Sequence, residues 1–286
     1  MSDLLVEAMI RWAVIPVAGH GRRMQPAAAV VPKALLPVGT WPMLHWALDE
    51  AIRAGIPGII LVVGVDQQLV RDYLDAAIEA ARRGDETDLA ELGRGLRDCE
   101  VRYIEQPEPL GVGDAFVRCR PVTGKDVFAV LLPDNWFDSP TPAIEQVARA
   151  YDRTGLCSLG LTEIVAAERA LFGNVGAVDL QPVEGNCYRV LGLQDKLPGA
   201  FVAEGEKLVL RGCARYVADE RLYEALLATG PPARGEWDDV PAFQNLIRHA
   251  GLAAHLIDGQ HYDVGHRQGY LAAAAYLGRC AADEAR

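Results

Sequence analysis

The residues best suited to chemistry stand in three places in this chain. The first is Gly19-His20-Gly21-Arg22-Arg23, followed by Lys33 ten residues after Arg23. Glycines let the backbone approach a ligand closely and point successive N–H groups at it. Arginine and lysine then supply positive charge for several phosphates. Only four lysines occur, at 33, 125, 196 and 207. In so arginine-rich a background, Lys33 points to a need for a compact ammonium. The second place is Leu132-Pro133-Asp134-Asn135, where a carboxylate just past an apolar run can meet a metal ion. The third is Gln106, at the start of a loop with two prolines and two glycines that runs to Gly113. Its amide offers a donor and an acceptor to a nucleobase edge.

Each place also has a plainer explanation. GxG after a strand is a common turn, Asp-Asn is common in turns, and a proline-glycine loop is often only a connection. Two familiar phosphate sites are excluded. No GxxxxGK[ST] string occurs, Met24 stands where a dinucleotide fingerprint needs its third glycine, and Leu36–Leu44 lacks the acid that would follow.

Elements must bring these residues together. Ala13–Ala18 is an apolar run of the kind that forms a buried strand, ending at the glycine turn. Met43–Ala54 has helical spacing, with Leu44, Ala47, Leu48 and Ala51 on one face. Ile59–Val65 predicts a strand, Gln67–Arg82 a helix, and Val101–Ile104 and Val127–Leu132 further strands. Asp114 helps to start a helix to Arg120, and Ala143–Tyr151 is helical. The alternation predicts a parallel α/β sheet with the three places at its strand ends. Gly84–Asp98 reads as an exposed loop or a short irregular helix, and Met1–Arg11 as an arm. Leu156–Ile164 predicts a strand, and short strands follow over Gly176–Leu180, Tyr188–Leu193 and Leu208–Val217.

The 286 residues suffice for one large domain or two small ones. Half are hydrophobic and 23% are charged, an ordinary globular balance. A net charge of −11 argues against non-specific nucleic-acid or anionic-membrane binding, so an anionic substrate must meet local cations. The six cysteines are scattered without CxxC, which fits reduced thiols and a cytoplasmic location. The N-terminal residues, with Asp3 and Glu7, lack the basic-then-apolar pattern expected of a signal peptide, and no uninterrupted apolar run approaches membrane-spanning length.

The stretch GHGRRMQPAAAVVPKALLPV resembles the signature of the sugar-1-phosphate nucleotidyltransferases, GxGTRxxPxTxxxPKxxLPV. The similarity runs in order from about Ala13 to Gly278, and bacterial UTP–glucose-1-phosphate uridylyltransferase is the nearest branch. The resemblance implies an α/β fold of the nucleotide-diphospho-sugar transferase type: a Rossmann-like, mostly parallel sheet flanked by helices, with a β-rich sugar-binding lobe. It implies one domain over 1–286, with a nucleotide-binding half over about 11–165. The sugar-binding half and C-terminal helices would fill about 166–286. By the same resemblance Ala18, Gly19, Gly21, Arg22, Gln106 and Gly111 contact the nucleotide, and Arg23 and Lys33 act on the triphosphate. Gly173 and Asp195 lie at the sugar, Lys196 holds the sugar phosphate, and Asp134 and Asp263 hold magnesium. The substrates would be a nucleoside triphosphate, UTP first, and a sugar-1-phosphate, glucose-1-phosphate first.

Departures from the pattern keep alternatives open. Arg22 replaces the usual threonine, Asp195 the usual glutamate, and Val240-Pro241 the Thr-Asp that follows Gly-Glu. Other bases (dTTP, GTP), a non-glucose sugar, or a non-catalytic regulator that binds such ligands therefore stay in view. A dinucleotide-dependent dehydrogenase is disfavoured by Met24. His261 and His266 offer zinc ligands, but carboxylates facing phosphates suit magnesium better. A homo-oligomer is compatible with this sequence.

Overall fold

The computed structural model describes residues 10–64, 68–173, 177–194 and 208–284. Asp195, Lys196, Asn174–Gly176, Gln67 and residues 1–9 of the expected arm lie outside these. The elements run β1 (Ile10–Pro16), β2 (Pro37–Val38), β3 (Trp41–Pro42), α1 (Met43–Arg53), β4 (Gly58–Gly64), α2 (Gln68–Arg83) and α3 (Asp88–Arg97). Next come β5 (Glu100–Gln106), α4 (Val112–Thr123), β6 (Val127–Leu131), β7 (Asn135–Asp138), α5 (Ala143–Thr154) and β8 (Ser158–Val165). The chain continues through β9 (Val178–Glu184), β10 (Cys187–Leu193), β11 (Leu208–Ala218), α6 (Glu220–Thr229) and α7 (Val240–His249). It closes with β12 (Ala253–Leu256), β13 (Gln260–Asp263) and α8 (Arg267–Glu284).

A central sheet takes the order β5-β4-β1-β6-β11-β8-β12-β10-β9. Strands β5, β4, β1 and β6 are parallel neighbours. β11 runs against β6 and β8, and β10 against β12 and β9, so seven of the nine strands share one direction. Both faces of the parallel part are covered, which is why its strands are apolar throughout rather than alternating. Ala13 and Ile15 of β1 face one core with Leu44, Leu48 and Leu74. Trp12 and Val14 face the other with Phe116, Leu222 and Phe243. After β1 the chain builds β4 and β5 on one side, then places β6 on the other. The loops leaving β1 and β6 therefore flank a crevice at the sheet's carboxyl edge, where open α/β sheets bind ligands.

Two expectations change. Ile10 and Arg11 belong to β1 rather than to an arm. The segment 84–98 is not a loop: it holds the regular helix α3, whose Thr87 cap accepts from Ala90 N at 3.2 Å. Gly93 and Gly95 read as breaks in the sequence, yet they are contact points. A Cβ on Gly93 would stand 1.9 Å from the Ala77 carbonyl of α2, and one on Gly95 2.7 Å from Ile52 of α1. No helix among the described residues is long and apolar enough to cross a membrane.

Three buried histidines make the fold sensitive to mild acid. Burial holds His45 and His255 down to about 4, and His261 to about 3. Neighbouring arginines add to the effect at His255 (Arg149, Arg153) and at His261 (Arg215). A histidine whose folded pKa is lowered takes up its proton only on unfolding. Stability is therefore complete above the unfolded value near 6.5 and falls as pH drops below it. Unfolding at pH 5 should take up nearly three protons from this source. Their contribution to the slope of unfolding free energy between pH 6.5 and 5 should steepen toward about 4 kcal/mol per pH unit, offset in part by the raised carboxyls of Asp49, Asp152 and Asp263. A flat profile from urea titrations across that range would contradict it.

Candidate active site

The loop leaving β1 is shaped by one obligate glycine. Gly21 has φ +61°, and a Cβ there would lie 2.8 Å from Lys33 Cβ and 2.9 Å from Ala28 Cβ. The loop folds tightly enough to bring Lys33 back under the glycine turn. Short helical turns over Arg22–Met24 and Lys33–Leu35 then set the two cations.

The β6 loop carries Asp134. Lys33 Nζ donates to Asp134 Oδ2 at 2.5 Å, and Asn135 Nδ2 donates to Oδ1 at 2.9 Å. Burial alone would raise this carboxyl, but the Lys33 ammonium, with Arg23 and the Asn135 amide behind it, outweighs burial and holds it at about 2. Asp263 arrives on β13, which pairs antiparallel with β7 so that Asn135 faces Asp263. Its Oδ2 accepts from Gly173 N at 2.6 Å and its Oδ1 from Gly265 N at 3.1 Å. Burial, then the neighbouring Asp134 charge, pushes the Asp263 carboxyl up despite those donors and despite Arg23 and Lys33. Gly265 lacks a side chain for a visible reason: its Cβ would stand 2.5 Å from Asp134 Oδ2 and 2.7 Å from Lys33 Nζ. A Cβ on Gly173 would meet Arg23 Nη1 at 2.9 Å. The structure thus gathers Arg23, Lys33, Asp134, Gly173 and Asp263 into one cluster from five segments.

Asp134 stands on a buried support. Arg215 of β11 is 1% exposed and donates to the carbonyls of Leu132 (3.0 Å) and Asn135 (2.8 Å), on either side of Asp134. Its fork also clasps Glu50 of α1 at 2.7–3.1 Å, and Glu50 Oε1 accepts from Ile144 N at the start of α5. From the other side, His261 Nε2 bonds Asn135 Oδ1 at 2.9 Å. A neutral His261 donating there leaves the Asn135 amide to donate to Asp134. His261 stacks on Phe137 with ring centroids 4.5 Å apart.

Gln106 is buried at the end of β5, and its Nε2 donates to Gly111 O (3.0 Å) and to Asp114 Oδ2 (2.8 Å). Gly111 has φ +106°, and a Cβ there would stand 2.6 Å from the Trp237 backbone. Trp237 N donates to Leu110 O and Gly113 N to Trp237 O, so the 107–113 loop is bound to the segment after α6.

Two cavities meet at this cluster. One, of about 380 Å³, is lined by Ala18, Gly19, Gly21, Arg22, Arg23, Lys33, Gln106, Gly111 and Asp134. The other, of about 470 Å³, is lined by Asp263, Tyr216, Trp237, Asp238 and Asp239 among others. Arg23, Asp134, Gly111 and Glu236 line both. Eight residues expected at the nucleotide and its triphosphate therefore share one cavity with Asp134, expected at the metal, and Asp263 lies in its neighbour. Gly173 borders Arg23 and Asp263 without lining either cavity, and Asp195 and Lys196 are outside the described residues. Glu236, Asn135 and Arg215 were not anticipated. The visible signal was a pair of arginines, Arg211 and Arg215, in the otherwise apolar run of β11 and an acid, Glu50, on the buried side of α1. The acids Asp238 and Asp239 precede Val240-Pro241, and Asp239 accepts from the Tyr216 hydroxyl at 2.8 Å.

The nucleotidyl transferase family model matches residues 12–278. The chain belongs to that family. It is 31% identical over 276 residues to UTP–glucose-1-phosphate uridylyltransferase YngB of Bacillus subtilis, covering 94% of this chain and 90% of that protein. It is 32% identical over 266 residues to UTP–glucose-1-phosphate uridylyltransferase 2 of Staphylococcus saprophyticus, with 92% and 90% covered. Among solved structures, the UTP-bound UGPase of Acinetobacter baumannii superposes with a TM-score of 0.77 at 27% identity, covering 94% of both chains. A UDP-glucose pyrophosphorylase complexed with UDP-glucose superposes with a TM-score of 0.80 at 24% identity, covering 95% of this chain and all of the other. The mixed α/β architecture, with its large and mostly parallel sheet, is the one these nucleotidyltransferases share.

Proposed function

We propose that this nucleotidyltransferase joins UTP to glucose-1-phosphate, releasing pyrophosphate and forming UDP-glucose. The observation that carries the reading is the meeting of two cavities at Arg23 and Asp134, with Lys33 and Asp263 beside them. In-line attack of a sugar phosphate oxygen on the α-phosphorus needs two anions brought together. Positioning and charge neutralisation then carry most of the catalysis. The relatives' names supply the base and the sugar.

In this reading the 380 Å³ cavity takes the nucleotide and its neighbour takes the sugar. Ala18, Gly19, Gly21 and Arg22 line the triphosphate path, and Arg23 and Lys33 balance its charge. Gln106 and Gly111 face the base, while Gly173 and Asp195 serve the sugar and Lys196 its phosphate. Asp134 and Asp263 would hold magnesium. The fit rests on their chemistry: two carboxylates close enough for the Asp134 charge to raise Asp263, a repulsion that a cation relieves. No cluster of three or more metal-ligating side chains occurs among the described residues. Two carboxylates suffice for magnesium, which completes its shell with water and substrate phosphates. When bound, such an ion neutralises charge on the reacting phosphates. Lys33 pairs with Asp134 and lines the same cavity as the glycine turn, so its ammonium stands between the carboxylate that would hold the cation and the proposed triphosphate path. One domain with nucleotide-binding (about 11–165) and sugar-binding (about 166–286) halves fits this division of labour. The six free cysteines fit a cytoplasmic enzyme.

A grid of nucleoside triphosphates against sugar-1-phosphates, scored by pyrophosphate release, tests the reading; turnover that does not peak at UTP with glucose-1-phosphate reassigns the substrates. Arg23→Ala should lower kcat/KM by roughly 2–4 kcal/mol of transition-state stabilisation, about 30- to 1,000-fold. An effect confined to the KM of the sugar phosphate would remove Arg23 from the triphosphate.

A further inference from the structure

The loop below the nucleotide cavity fixes an amide that could otherwise turn over. Gln106 donates through Nε2 to two acceptors, the Gly111 carbonyl at 3.0 Å and Asp114 Oδ2 at 2.8 Å. An amide nitrogen carries two hydrogens, so both are engaged. An ionised carboxylate only accepts, which removes the ambiguity between the amide's two ends. Arg118 Nε donates to the same Asp114 oxygen at 2.7 Å and anchors it from the next turn of α4. Gln106 Oε1 accepts from no described residue, although the side chain is 4% exposed and lines the cavity.

We propose that Asp114 determines base specificity by locking Gln106 with its carbonyl oxygen toward the nucleotide, so that the site accepts bases presenting a ring N–H and rejects those presenting a bare ring nitrogen. The proposal rests on the nucleotide assignment above and adds to it a residue that touches no substrate. Uracil and thymine carry N3–H at the pairing edge, whereas cytosine carries a bare N3 beside an amino group. A locked Oε1 accepts from the first pair and opposes the lone pair of cytosine. Asp114 is thus a positioning residue. Its mark is a ratio between two nucleotides rather than a rate with one.

The test measures kcat/KM with UTP and with CTP, and the thermal shift each nucleotide produces, at a saturating level of one sugar-1-phosphate. Wild type should favour UTP by about a hundredfold or more, as expected of a site built around one hydrogen-bonding edge. In Asp114→Leu and Asp114→Asn the UTP-to-CTP ratio should fall by about tenfold or more, the scale of one charge-assisted hydrogen bond. The Asn variant should fall further, because its amide can donate to a reversed Gln106. Asp114→Glu, which keeps an acceptor, should recover much of the ratio. Arg118→Met, which removes the anchor but not the acceptor, should stay within about threefold of wild type. A folded Asp114→Leu or Asp114→Asn with the wild-type ratio overturns the proposal while leaving the nucleotide assignment standing. An equal loss in Arg118→Met also overturns it, since the effect would then belong to the packing of α4. If wild type is shifted by neither nucleotide, the assignment fails and the proposal fails with it.

Discussion

Arg215→Met is expected to destabilise the protein by about 3–5 kcal/mol, the usual result of stranding a buried charge. For a chain of this size that lowers Tm by roughly 6–20 °C. Glu50, 8% exposed, would lose the guanidinium that engages both its oxygens. The carbonyls of Leu132 and Asn135 would lose their donors at the same time. The double variant Arg215→Met/Glu50→Met separates these losses. Removing both charges should restore part of the stability, because a buried ion pair contributes little beyond what apolar side chains of similar volume supply. The carbonyl donors stay lost, so recovery should be incomplete. Calorimetric melting of the three proteins decides the matter. A single variant melting within a degree or two of wild type would show that the pair does not support the Asp134 turn.

Asp134→Asn should abolish turnover, lowering kcat by about a thousandfold or more while the protein stays folded. The amide keeps the shape of the carboxylate but removes the charge that would hold a cation and that now pairs with Lys33. A second signature lies in acid. The Asp134 carboxyl sits at about 2 when folded, against about 3.9 unfolded. A depressed carboxyl stabilises the fold above its unfolded value, and that stability is lost as pH falls from about 4 toward 2. The Asn variant lacks this contribution, on the order of 2 kcal/mol. Its deficit relative to wild type should therefore shrink across that window. Pyrophosphate release at the wild-type rate, or a deficit that does not change with pH, would contradict the role given to Asp134.

What the sequence disclosed followed physical rules that act locally. The parallel strands were legible because a strand covered on both faces is apolar at every position, as in Ala13–Ala18 and Ile59–Val63. The position of the Gly19–Lys33 loop was legible because glycines and spaced cations follow the apolar run of β1 directly in the sequence. The helix α3 was not, because the reason for Gly93 lies 16 residues away at the Ala77 carbonyl. The support of Asp134 was hidden for the same reason. Glu50 and Arg215 are 165 residues apart, and neither has a neighbour in sequence that announces the other. His261 drew attention as a ligand. In the folded protein it is a buried neutral ring that orients Asn135. Chemistry written in one loop could be read there, but the contacts that aim it come from elsewhere in the chain.

The ribbon of β7 and β13 has a consequence for biosynthesis. It pairs Asn135 with Asp263, joining the first carboxylate of the cluster to one that follows 129 residues later. At ordinary elongation speeds the ribosome needs on the order of ten seconds to cross that interval. Meanwhile the glycine loop, Lys33, Gln106 and Asp134 have already left the tunnel. A nascent chain halted between Asp134 and β13 carries the cations and one acid, but not the strand that supplies the second. Such a fragment would also leave β7 with an unpaired edge, open to strand exchange with another unfinished copy. Synthesis of β13 thus closes an exposed edge and completes the cluster in a single event.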